Sequence, residues 1–260
     1  MIDAFYTAAV GTAQTQKAMD VIANNMSNLN TYGYKSSQSS FSDLLYTHMR
    51  PSTGLTNNGF TTQIPGQTNP PDGINPNDRL KVGHGAKLKK TDTIYTGGVF
   101  TPTGRGLDYA IQNDGFFAIE TTNGIKYTRN GNFEKTQLGD KFYLTSSQGG
   151  CVLDSQGQRI EVPEGLNEAP NLPIGVFKFE NQDGLVRESA MLFSATDNSG
   201  EAVSIANPEQ ALKQSYLEAS NVDIAQSMSD VIIFQRSFQY NAKMVQTADE
   251  IMQTVNGLRQ

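Results

Sequence analysis

Apolar positions near the start of the chain recur at helical spacing. Phe5, Ala8, Thr12, Thr15, Met19, Ile22, Met26 and Leu29 follow one another at intervals of 3 and 4, the a/d pattern of a coiled-coil seam. The seam is thin, with two threonines and an alanine in it, and Ala9, Val10 and Ala13 widen its apolar face. The pattern predicts a long N-terminal helix with Gly33 as a stop, because glycine takes left-handed conformations cheaply. The end of the chain repeats the pattern with larger residues. Ile224, Val231, Phe238, Val245 and Met252 lie seven apart, and Phe234, Asn241, Ala248 and Val255 form a second series three positions on. This predicts a helix from about Ile224 to Leu258, roughly 50 Å long at the helical rise per residue. Ser220 stands where an N-cap would, with Asp223 at capping-box spacing.

The middle of the chain has a different rhythm. Residues Pro51 to Leu80 are dense in Pro, Gly, Asn and Thr and read as an extended loop or linker. Before this tract, "SFSDLLYTHM" has room for one or two helical turns. After it come short β-like runs: "GAKLKKTDTIYTGG", "LDYAIQ", "GFFAIE", "GIKYTRN", "KFYLTS", "GCVLD", "IGVFKFE" and "AMLFSAT". Asn-Gly at 123–124 and 130–131 and Asp-Gly at 114–115 and 183–184 punctuate them. The expected fold class is α+β: long N- and C-terminal helices pair as a coiled-coil-like domain, and a central all-β domain is inserted between them. The expected boundaries are 1–35 and 215–260 for the helical domain, 36–80 for an extended segment and 81–214 for the β-rich domain.

The N-terminal seam is weak enough that an isolated two-helix pair would be marginal in water. The ends are therefore expected to be mobile in a single chain and to order when several chains pack together. The alternative is that they pack on the β-body. The asparagines bear on this choice. Asn24, Asn25, Asn28 and Asn30 crowd the inner end of the first helix, and Asn241 falls on the seam of the last. A buried amide must find partners, so it rejects misregistered neighbours; for Asn28 and Asn30 helix termination is the simpler role. The set expected to carry an assembly interface is Asn24, Asn25, Asn28, Phe5, Met19, Ile22, Met26, Val231, Phe234, Phe238, Asn241, Val245 and Met252.

Composition narrows the partners. The chain has 260 residues, a formal charge of −6 and 18% charged residues. An acidic chain argues against nucleic acid or an anionic membrane as main partner. Cys151 is the only cysteine, so no intrachain disulfide is possible. The first eleven residues lack the basic and apolar blocks of a cleaved leader. That leaves room for export by a route that reads something else.

Three stretches carry a family resemblance. "MDVIANNMSNLNTYGYKSS", "LDYAIQNDGFFAI" with "YTRNGNF", and "YLEASNVDIAQSMSDVIIFQRSFQYNAKMVQTADEIM" resemble, in order, the N-terminal, central and C-terminal motifs of bacterial flagellar rod and hook proteins. Within that family the length and the "DLLY" after the first helix look most like the distal rod, with proximal rod and hook-type proteins next. Asn113 and Ser36 depart from the family, which usually has glycine and often a basic residue there. The resemblance implies a structural subunit that polymerises helically through its terminal helices around the export channel. It also implies, as partners, further copies of the chain, other rod and hook proteins, the flagellar type III export apparatus and a rod cap. The implied location is the basal body, reached without a cleaved signal peptide; no cofactor is implied.

An enzyme was weighed against this reading. His48 and His84 are the only histidines and fit no metal-ligand spacing. The glycines of "TGGVFTPTGRG" match no phosphate-binding pattern. Asp108, Asp114 and Glu120 flank two β-like runs, and a carboxylate pair could cleave cell-wall glycans, although acidic residues are common at strand ends. Cys151 reads as a small core residue, Lys87 to Lys90 as a solvated strand face, and Phe116–Phe117 as a core strand with one ring inside and the other at an edge or contact. A passive surface adhesin would explain the β-body but neither the paired heptads nor the three ordered motifs.

Overall fold

The computed structural model describes residues 2–44, 46–49, 80–83, 85–163, 172–205 and 211–258. Of the tract expected to be a linker, Pro51 to Leu80, residues 51–79 lie outside them, as does His84, and Leu80 opens a strand. The fold is α+β, with a helix near each end of the chain and a β-rich region between. Helix α1 spans Ile2–Ser27 and helix α2 spans Ile224–Gly257. Two compact units are present: residues 1–18, 40–90 and 234–260 make one, and 19–39 with 91–233 make the other. The units part inside both helices, after 18 and after 233.

Each helix is amphipathic in a different way. The buried residues of α1 are Ala8, Thr15, Ala18, Ile22 and Asn25, with Gly11 half-buried between them. This stripe shares positions 8, 15 and 22 with the expected seam, but it runs through 11, 18 and 25 instead of 12, 19 and 26. Met26 is 37% exposed. The stripe turned toward the smallest side chains available. Gly11 shows why: a Cβ placed on it would stand 2.9 Å from Asn241 Nδ2 of α2, so a larger residue there would have to displace the Asn241 amide. The hydroxyls of Thr12 and Thr15 donate back to the carbonyls of Ala8 and Gly11, at 2.8 and 3.0 Å, which satisfies them inside a helix face.

In α2 the half-buried residues include Val231, Phe234, Phe238, Asn241, Val245 and Ala248, as the heptad predicts; Met252 and Val255 are exposed. Asp223, not Ser220, caps α2. Its Oδ1 accepts from the amides of Ala225 and Gln226 at 2.8 and 3.2 Å, leaving "SNV" extended.

The first unit also holds strands where helical turns were expected. β1 covers Ser37–Asp43 and β2 covers Tyr46–Met49. β2 pairs antiparallel with β3 (Leu80–Gly83), and Leu44 N donates to Gly85 O at 2.8 Å. These partners arrive from about forty residues downstream, so no local window displays them. Lys87, Lys89 and Lys90 are exposed on β4 (Ala86–Thr93). Gln14 of α1 accepts from Leu88 N at 2.9 Å, and Phe41 of β1 packs its ring 6.2 Å from that of Phe234.

In the second unit the strands are short and all pairings are antiparallel. β5 (Phe100–Pro102) and β6 (Tyr109–Ile111) pair with β17 (Tyr216–Glu218) and β16 (Leu212–Gln214). The main sheet runs β13-β14-β8-β7-β11-β10-β9, with β12 joining β7 and β15 joining β12. Their ranges are Phe116–Thr121 (β7), Gly124–Thr128 (β8), Phe133–Leu138 (β9), Lys141–Ser146 (β10) and Cys151–Val152 (β11). The remainder are Val176–Lys178 (β12), Val186–Arg187 (β13), Leu192–Ser194 (β14) and Val203–Ser204 (β15). β7 and β8 form a hairpin at Asn123-Gly124, with Thr121 opposite Gly124.

Neighbouring residues of a strand face opposite ways, and β7 uses this fully. Phe117 joins Tyr109, Phe133, Leu144, Val152 and Ile174 in one core; Phe116 joins Tyr127, Leu153, Phe179, Leu185 and Phe193 in another. Both rings are buried, at 0% and 1% exposure, so the expected edge position for one of them is corrected: the strand has a core on each face. Each such ring stabilises by about 1.5–3 kcal/mol relative to exposure.

Candidate structural junction

The chain leaves α1 through a turn and enters β1 within ten residues. Gly33 makes that possible. Its φ is +72°, and a Cβ there would lie 2.5 Å from Asn130 N. Substitution would therefore be strained in backbone and would push into the main chain of the "RNG" turn. Gly33 N donates to Glu218 O at 2.7 Å. Three stretches far apart in sequence thus meet in this one unit.

The residues on either side of Gly33 are buried. Asn25 is 8% exposed, Tyr34 1% and Lys35 1%. Asn25 uses both ends of its amide: Nδ2 donates to Ser37 O at 2.7 Å, and Oδ1 accepts from Ser37 N at 2.9 Å and from Tyr34 Oη at 3.0 Å. A carboxamide gives one donor and one acceptor to one backbone residue, as a strand partner would. Only Asn or Gln offers this, and it fixes Ser37 against the last turn of α1.

Lys35 points into the body. Its Nζ donates to Glu218 Oε1 at 2.7 Å and to Thr96 O at 2.8 Å, and the same Oε1 accepts from Gly98 N at 2.8 Å. The side chains of the pair are 0% and 1% exposed. Arg129, 4% exposed, lies with Nη1 3.7 Å from Glu218 Oε2 and donates to the carbonyls of Asn113 and Ile111 at 2.9 and 3.3 Å. Burial pushes the Lys35 ammonium below the ordinary lysine value; Glu218 opposes this and Arg129 reinforces it. Burial also lowers Arg129, against the pull of Glu218 and Asp114. Two cations share one buried carboxylate, and Glu218 Oε2 and Arg129 Nε have no hydrogen-bond partner. Such a cluster adds little net stability, yet removing one partner strands a charge and costs about 3–5 kcal/mol.

Two further side chains close the junction. Asn221 accepts from Ser36 N at 2.7 Å and donates to Ile94 O at 2.8 Å and Thr96 O at 3.2 Å. Arg187 of β13 donates to Ser37 Oγ at 2.9 Å and to Lys35 O, with its guanidinium 5.1 Å from the Tyr34 ring and 5.4 Å from that of Phe193. The departures at Ser36 and Asn113 use backbone groups here. Ser36 engages through its N and through its O, which accepts from Ile94 N, and Asn113 through its carbonyl.

The expected site residues fall into three sets. Asn25 and Ile22 are buried beside this junction in sequence, and Asn25 is satisfied within the chain. Asn24, exposed, accepts from Asn28 Nδ2 at 2.9 Å and from Tyr34 Oη at 3.3 Å. Phe5, Met19, Val231, Phe234, Phe238, Asn241 and Val245 are half-buried on the helices, and Met26 and Met252 are exposed. Sequence reasoning missed Tyr34, Glu218, Asn221 and Arg187. A lysine inside an otherwise uncharged "GYKSS" was the one available signal.

The carboxylates weighed for catalysis are accounted for differently. Glu120 is held by Arg159 at 2.6 and 3.0 Å, which lowers its pKa; a general acid requires the opposite shift. Asp108 is buried, 3.9 Å from Arg105. Among the described residues no group of three or more His, Cys, Asp or Glu could hold a metal, and no helix is long and apolar enough to cross a membrane. Cys151 is buried and free.

Comparison with known proteins accounts for the convergence. Residues 5–35 match the family model of the flagella basal body rod protein, 110–233 that of the flagellar hook protein FlgE/F/G D1 domain, and 213–258 that of the flagellar basal body rod FlgEFG protein C-terminal region. Lys35, Arg129 and Glu218 each fall in one or more of these regions. The flagellar basal-body rod protein FlgG of Bacillus subtilis is 32% identical over the whole of both chains. That of Borreliella burgdorferi is 34% identical over the whole of this chain and 99% of its own, and that of Agrobacterium fabrum 33% over 96% of each. With full-length identity at this level and matches at both ends and the middle, the chain belongs to the flagellar basal-body rod protein family, as a structural subunit of the distal rod.

Proposed function

We propose that this rod subunit polymerises helically through its two terminal helices, which pair as a coiled-coil-like inner tube around the export channel while the β-rich body lies outside. One observation carries the reading. On α2, Tyr240, Met244, Ile251 and Val255 are 68%, 53%, 47% and 50% exposed, and Leu258, just past its end, is 84% exposed. At 3.6 residues per turn they fall within roughly 60° of arc, beside the half-buried heptad stripe and distinct from it. An apolar face of this length on a soluble helix marks a partner surface, and the family supplies further copies of the chain as the partner.

In this reading Phe5, Met19, Met26, Val231, Phe238, Val245 and Met252 line helix contacts, and Asn24, Asn28 and Asn241 fix their register. Asn25 acts from within, by setting the path into β1. The asymmetric use of two different helix faces suits heterologous contacts, which generate open helical lattices. Other rod and hook proteins are the neighbours at each end of the distal rod. Delivery is through the type III export apparatus to a rod cap.

Met244→Glu with Ile251→Glu tests this. The purified chain should keep its β-sheet signal and its melting transition, and cells carrying the variant should be non-motile, with basal bodies lacking the distal rod. Normal motility with an intact rod would overturn the reading.

A further inference from the structure

We propose that Lys35, Glu218 and Asn221 form a register latch that closes within the single chain and sets where the last turns of α1 and the first turns of α2 leave the β-body, so that they are positioning residues for rod assembly. The inference rests on assembly through the terminal helices.

Several features distinguish a latch from general stabilisation. The contacts are directional and mixed. Lys35 Nζ reaches Thr96 O as well as Glu218, Glu218 Oε1 takes Gly98 N, and Asn221 bridges Ser36 to the 94–96 segment. All three side chains therefore converge on the backbone of residues 94–98, and Asn221 holds Ser36 N as well. A slip of one residue would move a buried charge off its partner, and buried polar groups that need specific partners disfavour misregistered arrangements. The pairs are also long in range: Lys35 and Glu218 are 183 residues apart, and Glu218 stands five residues before the Asp223 cap of α2. Lys35 stands eight residues after the end of α1. The latch thus ties the segment that follows α1 to the segment that precedes α2, through the buried Lys35–Glu218 pair and the half-buried Asn221.

The cluster is also an inefficient way to stabilise. Glu218 Oε2 and Arg129 Nε remain without hydrogen-bond partners, and an apolar set of the same volume would avoid that. This gives the test its edge. In the triple variant Lys35→Met, Arg129→Met, Glu218→Leu, apolar packing replaces the whole charge cluster, so that no buried cation is left without its carboxylate. The expected result is a chain that melts at or above the wild-type temperature but enters rods at least tenfold less, read as rod-incorporated protein in purified basal bodies. Normal incorporation by this folded variant would overturn the latch. A variant that does not fold leaves a second measurement on the wild-type monomer. Hydrogen exchange should show the amides of Gly33, Ser36, Ser37 and Gly98 protected before assembly; exchange at unfolded-chain rates would overturn the proposal as surely. Met244→Glu with Ile251→Glu, run alongside, separates the two ideas. If that helix-face variant assembles normally, assembly through the helices fails. If it is excluded while the latch variant assembles, only the latch fails.

Discussion

In the β-rich unit Phe116, Phe117, Phe133 and Phe193 are each at most 1% exposed, and aromatic pairs such as Phe117–Phe133 meet edge to face at 5.1 Å. In the helical unit the corresponding work is done by Ala8, Gly11, Thr15 and Ala18 on one helix, while Tyr240, Met244 and Ile251 on the other, and Leu258 just past its end, face water. The first arrangement uses its large side chains inside one chain. The second uses small ones there and leaves its large ones outside. On the proposed assembly, the difference separates a region whose apolar burial is complete within the chain from one whose burial other subunits complete, and it can be tested by substitution in each.

The largest expected effect is in the β-rich unit. Phe117→Ala should lower stability by about 3–5 kcal/mol, measured as a fall in the urea midpoint at unchanged slope. Met252→Ala on α2, a residue 40% exposed, should stay within about 0.5 kcal/mol. Equal losses would erase the distinction between the two regions.

The next effect is expected at Gly11. Leucine there cannot share the space with Asn241, and overpacking of this kind costs about 1–3 kcal/mol. Far-UV circular dichroism should show the helical signal melting earlier, with the β-rich transition unmoved. A single melt shifted as a whole would mean that the regions unfold together.

At the junction Asn25→Ala should cost about 1–3 kcal/mol, because Ser37 N and O and the Tyr34 hydroxyl lose their partner inside the protein. Asn24→Ala, at an exposed position, should cost less than half as much in the same urea titration. The reverse order would reassign the motif's central role to Asn24.

These residues also show what a sequence can display. The heptads in α2 were readable because its stripe is built from large apolar side chains at regular intervals, and Val231 to Ala248 are half-buried as expected. In α1 the same reasoning followed Met19 and Met26, but the buried stripe runs through Ala18 and Asn25. Close helix approach selects the smallest residue and not the most hydrophobic one, and hydropathy does not report that. β1 and β2 were not legible as strands because their partners come from residues 80–93. At the junction the asparagines were visible and their partners were not. Lys35 and Glu218 are ordinary surface residues to any local reading, and only the fold brings them to 2.7 Å. The family motifs marked all three segments without showing that they meet.

The smallest effect concerns the exposed pair of Glu120 and Arg159, which sharpens the contrast with the buried pair at the junction. Hydrogen bonds from Arg159 hold the Glu120 carboxyl below its ordinary value of 4.5. A carboxylate with a depressed folded pKa stabilises fully above its unfolded value, and that contribution is lost as pH falls through the folded value. Wild type should therefore melt slightly above Glu120→Gln at pH 6, and the two should converge as the pH is taken well below 4.5. The pair is exposed, so about 1 M salt should shrink the difference at pH 6 as well. The loss in Lys35→Met alone should not change with salt, because the buried Glu218 carboxylate, left with Arg129 as its neighbouring cation, is beyond the reach of screening. A salt-insensitive Glu120→Gln difference would show that this surface pair is held as tightly as the buried one.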